Sequence, residues 1–379
     1  MSNKTRLSQV MRALDQLSGI NETQFEAISQ ALNLAKTEPG RDETGKAKIA
    51  MFDAKHYDTV SFLKENQARF AIDAITTPLN EQSAALAKGY KIVCIFVNDL
   101  CNAAVVKQLA SIGVELIALR CAGFNNVDLA ACEKAGIDVV RVPAYSPHAV
   151  AEHAVALMLM LNRKLHRAYL RNKSGQFVLD GLVGFDMYGK TVGVVGTGKI
   201  GQCVIDILSG FGCHILAFDK FPDDSLSAKH QLEYTSMQEL QKRADIITLH
   251  APLTDETKHI INAEAIESMK DGVMLINTSR GALVDTVALI KGLKCGKVDS
   301  AGLDVYEEEA DIFFHDLSGQ VMQDEVFARL MTFDNVIVTA HQAFLTKEAL
   351  ANIAQTTLDN VEEFLTGKRK QALTNSVSL

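Results

Sequence analysis

Two series of short, β-rich apolar runs, each separated by stretches of helix length, leave this chain little choice but a pair of parallel sheets covered by helices. The first series is Lys48-Ile-Ala-Met-Phe, Ala71-Ile-Asp-Ala-Ile, Ile92-Val-Cys-Ile-Phe, Leu116-Ile-Ala-Leu and Asp138-Val-Val-Arg-Val. The second is Thr191-Val-Gly-Val-Val, Ile215-Leu-Ala-Phe, Ile246-Ile-Thr-Leu, Val273-Met-Leu-Ile, Ser300-Ala-Gly-Leu and Val336-Ile-Val-Thr. Parallel neighbours cannot be joined by tight hairpins, so a helical crossover must follow each strand. A chain of 379 residues with 47% hydrophobic content has room for two such cores.

Three helical segments flank the series. Residues 1 to about 46 carry Leu7, Val10, Met11, Leu14 and Leu17 at helical spacing, then the capping box Thr23-x-x-Glu26 with Phe25, Ile28 and Leu32. The polar stretch Thr37 to Lys48, with Pro39, Gly40 and Gly45, suits a linker. Ser146-Pro147 opens a helix whose run Ala149 to Leu161 is apolar nearly all round, which predicts a buried helix between two domains. Its His148 and His153 read as packing or capping residues. Lys347 to Thr366 is helical again.

Composition excludes several classes. A net charge of −8 without long basic stretches argues against nucleic acid or an anionic membrane surface as partner. The seven cysteines are scattered, with no C-x-x-C pair, so neither a disulfide framework nor a metal site is expected. Buried thiols in a reducing cytosol are the expectation. The opening residues lack the apolar core of a secretory signal, and Ala154 to Leu161 falls far short of the roughly 20 residues that span a bilayer. A soluble, cytoplasmic protein follows.

Gly196-Thr-Gly-Lys-Ile-Gly201 stands between the strand Thr191 to Val195 and a helix beginning near Lys199. Gly196 permits a tight turn, Gly198 lets the backbone approach a pyrophosphate, and Gly201 allows helix and strand to pack closely. The helix start at Lys199 and Ile200 offers unpaired N–H groups and a positive dipole to phosphate. Asp219 closes the next strand, eighteen residues after Gly201. A carboxylate there accepts hydrogen bonds from ribose hydroxyls and repels a 2′-phosphate, which points to NAD rather than NADP. Lys220, directly after it, pulls the other way.

Ligands in open α/β sheets bind beyond the carboxyl ends of the strands. Arg280 in Asn277-Thr-Ser-Arg280-Gly, Asp304 with the acidic run Glu307-Glu308-Glu309, and His341 all lie just past strands of the second series. Reducing a 2-oxo acid requires a cation for the carboxylate, an acid for the ketone oxygen and a carboxylate to orient that acid. Arg280 suits the first because its planar fork grips a carboxylate at two points. His341 suits the second, its pKa lying near the operating pH. One of the glutamates could hold the imidazole, and spacing alone does not say which. Each has a plainer reading: a salt-bridge arginine, a structural histidine, a solvated acidic face. His250, in Leu249-His-Ala-Pro252, ends a strand and lines the cofactor site, a catalytic role ranking below that of His341.

Seven ordered segments resemble the D-isomer-specific 2-hydroxyacid dehydrogenases, in particular their fermentative D-lactate branch, over about Lys48 to Thr366. They are Arg120-Cys-Ala-Gly-Phe-Asn-Asn-Val-Asp128, Val142-Pro-Ala-Tyr-Ser-Pro-His-Ala-Val-Ala-Glu152, Gly196-Thr-Gly-Lys-Ile-Gly201, Leu249-His-Ala-Pro-Leu-Thr254, Asn277-Thr-Ser-Arg-Gly281, Gly302-Leu-Asp-Val-Tyr-Glu-Glu-Glu309 and His341-Gln-Ala-Phe-Leu-Thr346. The resemblance implies two doubly wound (Rossmann/flavodoxin-like) domains with the active-site cleft between them, plus the N-terminal helical extension. It implies an extension and linker over 1–47, a substrate domain over 48–148 plus 345–379, and an NAD domain over 149–344. It assigns Arg280 to the substrate carboxylate, His341 as acid/base and Glu309 as its partner. Asp304 falls near the nicotinamide, with Pro252 and Thr278 in the cofactor motifs. The Ala122-Gly123 amides would meet the substrate carboxylate, and Phe96, Tyr145 and Phe344 would line the side-chain pocket. The family's usual dimer or tetramer implies a homo-oligomer. Residues 1–46 have no counterpart in the family pattern.

The expected activity is reduction of pyruvate to D-lactate by NADH. The alternatives are another small 2-oxo acid (hydroxypyruvate, glyoxylate or phenylpyruvate) and an NAD-sensing corepressor that binds partner peptides.

Overall fold

The structure is a computed structural model and describes residues 39–309, 312–314 and 316–378. The two helices expected before Thr37 lie outside the described residues. Residues 39–47, expected as a linker, form an ordered turn: Arg41 pairs antiparallel with Ala47, and Gly40 accepts from Lys48 N at 2.7 Å while donating to Gly89 O at 3.2 Å. The chain divides into two compact units, one running to Pro143 and resuming at Ala354, the other spanning Ala144–Ile353.

In the first unit, β1 (Lys48–Met51), β2 (Ala71–Ala74), β3 (Ile92–Ile95), β4 (Leu116–Leu119) and β5 (Asp138–Val140) form a parallel sheet in the order β2-β1-β3-β4-β5. Its central strands β3 and β4 are buried at every position, as expected where helices cover both faces. The crossovers hold α1 (His56–Asn66), α2 (Ala103–Ser111) and α3 (Leu129–Ala135). Asn102 and Asp128 cap α2 and α3 by accepting from Val105 N and Ala131 N. The chain end returns to the β5 edge, where Val377 N donates to Val139 O at 2.9 Å.

The second unit opens with α4 (Pro147–Asn162), capped by the Ser146 hydroxyl, and α5 (Leu165–Lys173). Its sheet takes the order β12-β11-β10-β9-β6-β7-β8, all parallel. The strands are β6 (Thr191–Val195), β7 (His214–Phe218), β8 (Glu233–Tyr234), β9 (Ile246–Leu249), β10 (Val273–Asn277), β11 (Val298–Leu303) and β12 (Val336–Val338). Between them run α6 (Lys199–Gly210), α7 (Asp224–His230), α8 (Met237–Arg243), α9 (Ala263–Ser268), α10 (Thr286–Cys295) and α11 (Glu325–Leu330), and α12 (Lys347–Leu365) follows. The edge strand β8 is too short and polar for periodicity to reveal.

Alternate residues divide the core. Val192, Val194, Met274 and Ile276 pack with α4 and α6 on one face, while Val195, Ile247, Leu275 and Ala301 pack with α8 to α10 on the other. Gly302 lets α4 approach β11, since a Cβ there would stand 3.1 Å from that of Leu157. The helix is buried as expected except for one stripe, His148, Glu152 and Ala156, which is exposed. His148 is therefore not a packing residue.

Candidate active site

The turn after β6 is built by what its glycines lack. Gly196 sits at φ +95°, and a Cβ there would lie 2.6 Å from Ala251 N. A Cβ on Gly201 would lie 2.0 Å from Gly196 O, so only glycine lets α6 start this close to the strand. Gly198 differs: a Cβ there meets nothing within 4 Å. It is the N-cap of α6 and brings no side chain to bond the free amides of the first turn. Room and donors for a pyrophosphate therefore coincide. Exposed Lys199 begins the helix and half-buried Ile200 follows.

Asp219, past the end of β7, is held by this turn. Its Oδ2 accepts from Thr197 N at 2.6 Å and Thr197 Oγ1 at 3.1 Å, and its Oδ1 from Phe221 N at 2.9 Å. The carboxylate is fixed in direction; Oδ2 already accepts two bonds, while Oδ1 accepts one and keeps a lone pair for a ribose hydroxyl. Lys220, the residue that spoke for NADP, reaches instead to Glu256 at 2.9 Å.

The other candidates meet at the strand ends. His250, Thr278, Arg280, Asp304, His341, Ile200, Tyr145 and Phe344 line one cavity of about 60 Å³. Tyr145 and Phe344 stand edge to face with ring centroids 6.2 Å apart. Pro252 does not line it; its carbonyl accepts from Thr257 Oγ1 and shapes the loop after β9. Phe96, Ala122 and Gly123 belong to the other unit, just past β3 and β4. A larger cavity of about 500 Å³ in that unit, beside Cys132, Asp138 and Arg369, is lined by none of the candidates.

Within the acidic run the geometry separates the three glutamates. Glu309 Oε1 lies 2.7 Å from His341 Nδ1, leaving Nε2 as the ring nitrogen free to face a reactant. Glu307 turns to His259 at 2.6 Å, and Glu308 is exposed. His341 holds φ +50°, a strained conformation for a residue with a Cβ. Buried Asp304 stabilises it. The Asp304 carbonyl accepts from His341 N, its Oδ1 from Gln342 N and its Oδ2 from Ala343 N, each at 2.8 Å. The Thr339 hydroxyl also donates to this carboxylate, and His153 Nε2 lies 3.0 Å from that hydroxyl. Because the Thr339 proton is committed to Asp304, the His153 ring must donate. His153, expected to be a packing or capping residue, is thus the outer member of a hydrogen-bond chain supporting the His341 loop. No sequence period could have linked residues so far apart in the chain.

Arg280 is placed by Asn277, whose Nδ2 donates to the Arg280 carbonyl at 2.9 Å. Its guanidinium donates to its own Ser279 carbonyl at 2.7 Å and, among the described residues, pairs with no carboxylate. Such a half-buried cation is available to an anion. His250 Nε2 lies 2.8 Å from Thr248 Oγ1. Its Nδ1 and the Thr278 hydroxyl are buried and, among the described residues, have no hydrogen-bond partner, as suits groups that a polar ligand completes. Burial lowers the His250 pKa to about 4, so its ring is neutral at physiological pH.

Comparison with known proteins gives this arrangement its context. Residues 155–343 match the family pattern described as D-isomer specific 2-hydroxyacid dehydrogenase, NAD binding domain. A 2-hydroxyacid dehydrogenase homologue of Haemophilus influenzae is 51% identical over 322 residues, covering 85% of this chain and 97% of that protein. The chain belongs to the D-isomer-specific 2-hydroxyacid dehydrogenases. This dehydrogenase is also 50% identical over 322 residues to the D-lactate dehydrogenase of Escherichia coli, covering 85% of this chain and 98% of its relative. A solved structure described as the pyruvate reductase of Chlamydomonas reinhardtii superposes with a TM-score of 0.83 at 44% identity, over 87% of this chain and 98% of that one. The chain is therefore an oxidoreductase of this family, with the family's cofactor, NAD, and the glycine turn of β6 has the space and donors to receive it. Among the described residues no helix is long and apolar enough to cross a membrane.

Proposed function

We propose that this dehydrogenase is a D-lactate dehydrogenase that reduces pyruvate to D-lactate. The observation that carries the reading is the meeting, in one cavity, of an arginine without a carboxylate partner among the described residues and a histidine bonded to a carboxylate. Arg280 grips the substrate carboxylate through its planar fork and so orients the carbonyl carbon. His341, held by Glu309 at Nδ1, gives a proton from Nε2 to the carbonyl oxygen as that oxygen gains charge. Asp304 keeps the His341 backbone in its strained position. NADH, when bound, supplies the hydride. Gly196, Gly198 and Gly201 would hold its pyrophosphate and Asp219 a ribose, with His250 and Thr278 as further residues that would bind it. The enclosed Tyr145–Phe344 edge favours a substrate with a small side chain, and the names of the Escherichia coli and Chlamydomonas reinhardtii relatives support pyruvate among the 2-oxo acids. We assign NAD binding to 149–344 and substrate binding to 48–148 with 345–379.

The test is NADH oxidation by the purified protein with pyruvate, hydroxypyruvate, glyoxylate and phenylpyruvate. Pyruvate should give the highest kcat/KM and the product should be D-lactate; no turnover of pyruvate sinks the reading. His341→Ala should cost about a thousandfold or more in kcat, the scale of a lost general acid with its electrostatic support. NADH should still bind.

Two further assignments accompany it. A homo-oligomer is supported by an ordered yet outward-facing apolar segment: Phe177, Leu179, Val183 and Tyr188 are each at least 75% exposed. Asn162 pins the segment by bonding both the N–H and the carbonyl of Phe185. Such patches on ordered backbone mark interfaces, and a monomeric mass in solution would contradict this. A cytoplasmic setting is supported by seven free cysteines, four of them buried.

A further inference from the structure

We infer that Glu307 and His259 form a positioning couple, separate from the Glu309–His341 couple, that holds the Arg280 turn ready for substrate. This inference rests on Arg280 being the carboxylate-binding residue. One Glu307 carboxylate ties three segments together. Its Oε1 lies 2.6 Å from His259 Nε2, on the loop after β9. Its Oε2 accepts from Thr286 N at 2.9 Å and Thr286 Oγ1 at 2.6 Å, at the first residue of α10. Its backbone belongs to the loop after β11, which two residues later carries Glu309.

The Arg280 turn is caught inside this frame. The turn runs from Arg280 through Gly281–Leu283 to the start of α10, where Thr286 is held. His259 N donates to Ala282 O at 2.8 Å, and Ile261 N to Leu283 O at 3.0 Å. On the opposite side the turn leans on the Glu307 loop with no space between them: a Cβ on Gly281 would stand 2.1 Å from the Tyr306 carbonyl and 2.4 Å from Glu307 N. The Glu307 side chain therefore clamps the two loops whose backbones already touch. It bonds to α10 beyond one end of the turn and to the His259 segment that backs its middle.

Neither residue of the couple lines the cavity, so the couple acts through Arg280. Releasing it should loosen the turn and weaken the grip on a carboxylate, while the glycine turn that seats the cofactor is untouched. The pair is partly exposed, with side-chain accessibilities of 36% for His259 and 22% for Glu307. Its worth lies in geometry more than in Coulomb energy.

The experiment compares Glu307→Ala, Glu307→Gln, His259→Ala and Arg280→Lys by KM for pyruvate, kcat and NADH Kd from fluorescence titration. Glu307→Ala should raise KM about tenfold, the scale of one or two charge-assisted hydrogen bonds. NADH Kd should stay within about twofold, well below that tenfold step. Glu307→Gln keeps an acceptor for Thr286 and should recover most of the loss. His259→Ala should raise KM about threefold, as for a partly exposed pair, and serves as the deciding variant if Glu307→Ala does not fold. An unchanged KM, an equal rise in KM and NADH Kd, or a Glu307→Gln enzyme as impaired as Glu307→Ala overturns the inference. Arg280→Lys separates the two levels. If it leaves KM unchanged, the assignment of Arg280 itself falls; if it raises KM while the Glu307 and His259 variants do not, the couple alone falls.

Discussion

Each unit begins its sheet with a parallel strand, a turn and a helix, and the two turns treat the helix N-terminus in opposite ways. After β1 the turn is Phe52-Asp53-Ala54-Lys55. Asp53 takes the left-handed conformation at φ +46° despite its side chain, its carboxylate pairs with Lys55 at 2.8 Å, and Lys55 N donates to Asp58 at 3.1 Å. The positive end of α1 is neutralised from within by acids. Asp58 also faces the fully buried Arg120 guanidinium, which donates to the Asp53 carbonyl at 2.9 Å. After β6 the turn is Gly196-Thr197-Gly198, without a charged side chain or a side-chain cap. Topology alone therefore does not make an anion site. A parallel strand leading into a helix offers one only where the sequence leaves the first amides unspent.

The largest effect expected from breaking this contrast is on folding. Gly201→Ala drives a methyl into the Gly196 carbonyl, and because that obstacle is backbone rather than a flexible side chain it should cost more than about 3 kcal/mol. Urea denaturation would read this, and NADH binding should fail with it. A variant as stable as the parent would mean that the turn is looser than described. Gly198→Asp is the sharper probe, since it writes the acid of the first turn into the second. Open space surrounds that position, so Tm should move by only a few degrees, within what a surface change produces. NADH Kd should rise about a hundredfold through repulsion and loss of the free amides. An unmoved Kd would break the comparison.

The smallest effect concerns acid sensitivity beside the glycine turn. The folded pKa of His250, about 4, lies below the ordinary 6.5. Between these values the unfolded chain binds the extra proton, so the contribution of neutral His250 to stability is complete above pH 6.5 and is lost as pH falls toward 4. From pH 7 to 5 the parent should lose about 1–2 kcal/mol more than His250→Asn, allowing for partial exposure of the ring. Denaturation at both pH values checks it, and identical slopes would place His250 in a more solvated setting.

Much of this was legible in the chain before any coordinates. The eleven strands expected from apolar runs all form, with ends shifted by a residue or two; the central ones, such as β3, β4 and β9, are buried throughout and so need an unbroken apolar run. The glycine turn was readable because its three requirements are local. Arg280, Asp304 and His341 were readable because a parallel sheet delivers whatever follows its strands to one edge. The unforeseen strand β8 pairs only two residues at the sheet edge, too few to show a period.

What the chain by itself determined is the pair of sheets, the empty turn for a dinucleotide and the cast of residues at the strand ends. Spacing left their pairings open: the family resemblance named Glu309 for His341, and only tertiary structure shows the contact itself and the partners of the rest. Three consecutive glutamates have no period to say which way each points; contact of Gly281 with the Glu307 loop sends Glu307 to His259, while Glu309 meets His341. Likewise Asp304 and His153 took their roles only when β11, β12 and α4 came together around Thr339. Local patterns record which backbone a segment adopts. The direction of a loop side chain is a property of the neighbours that folding brings to it.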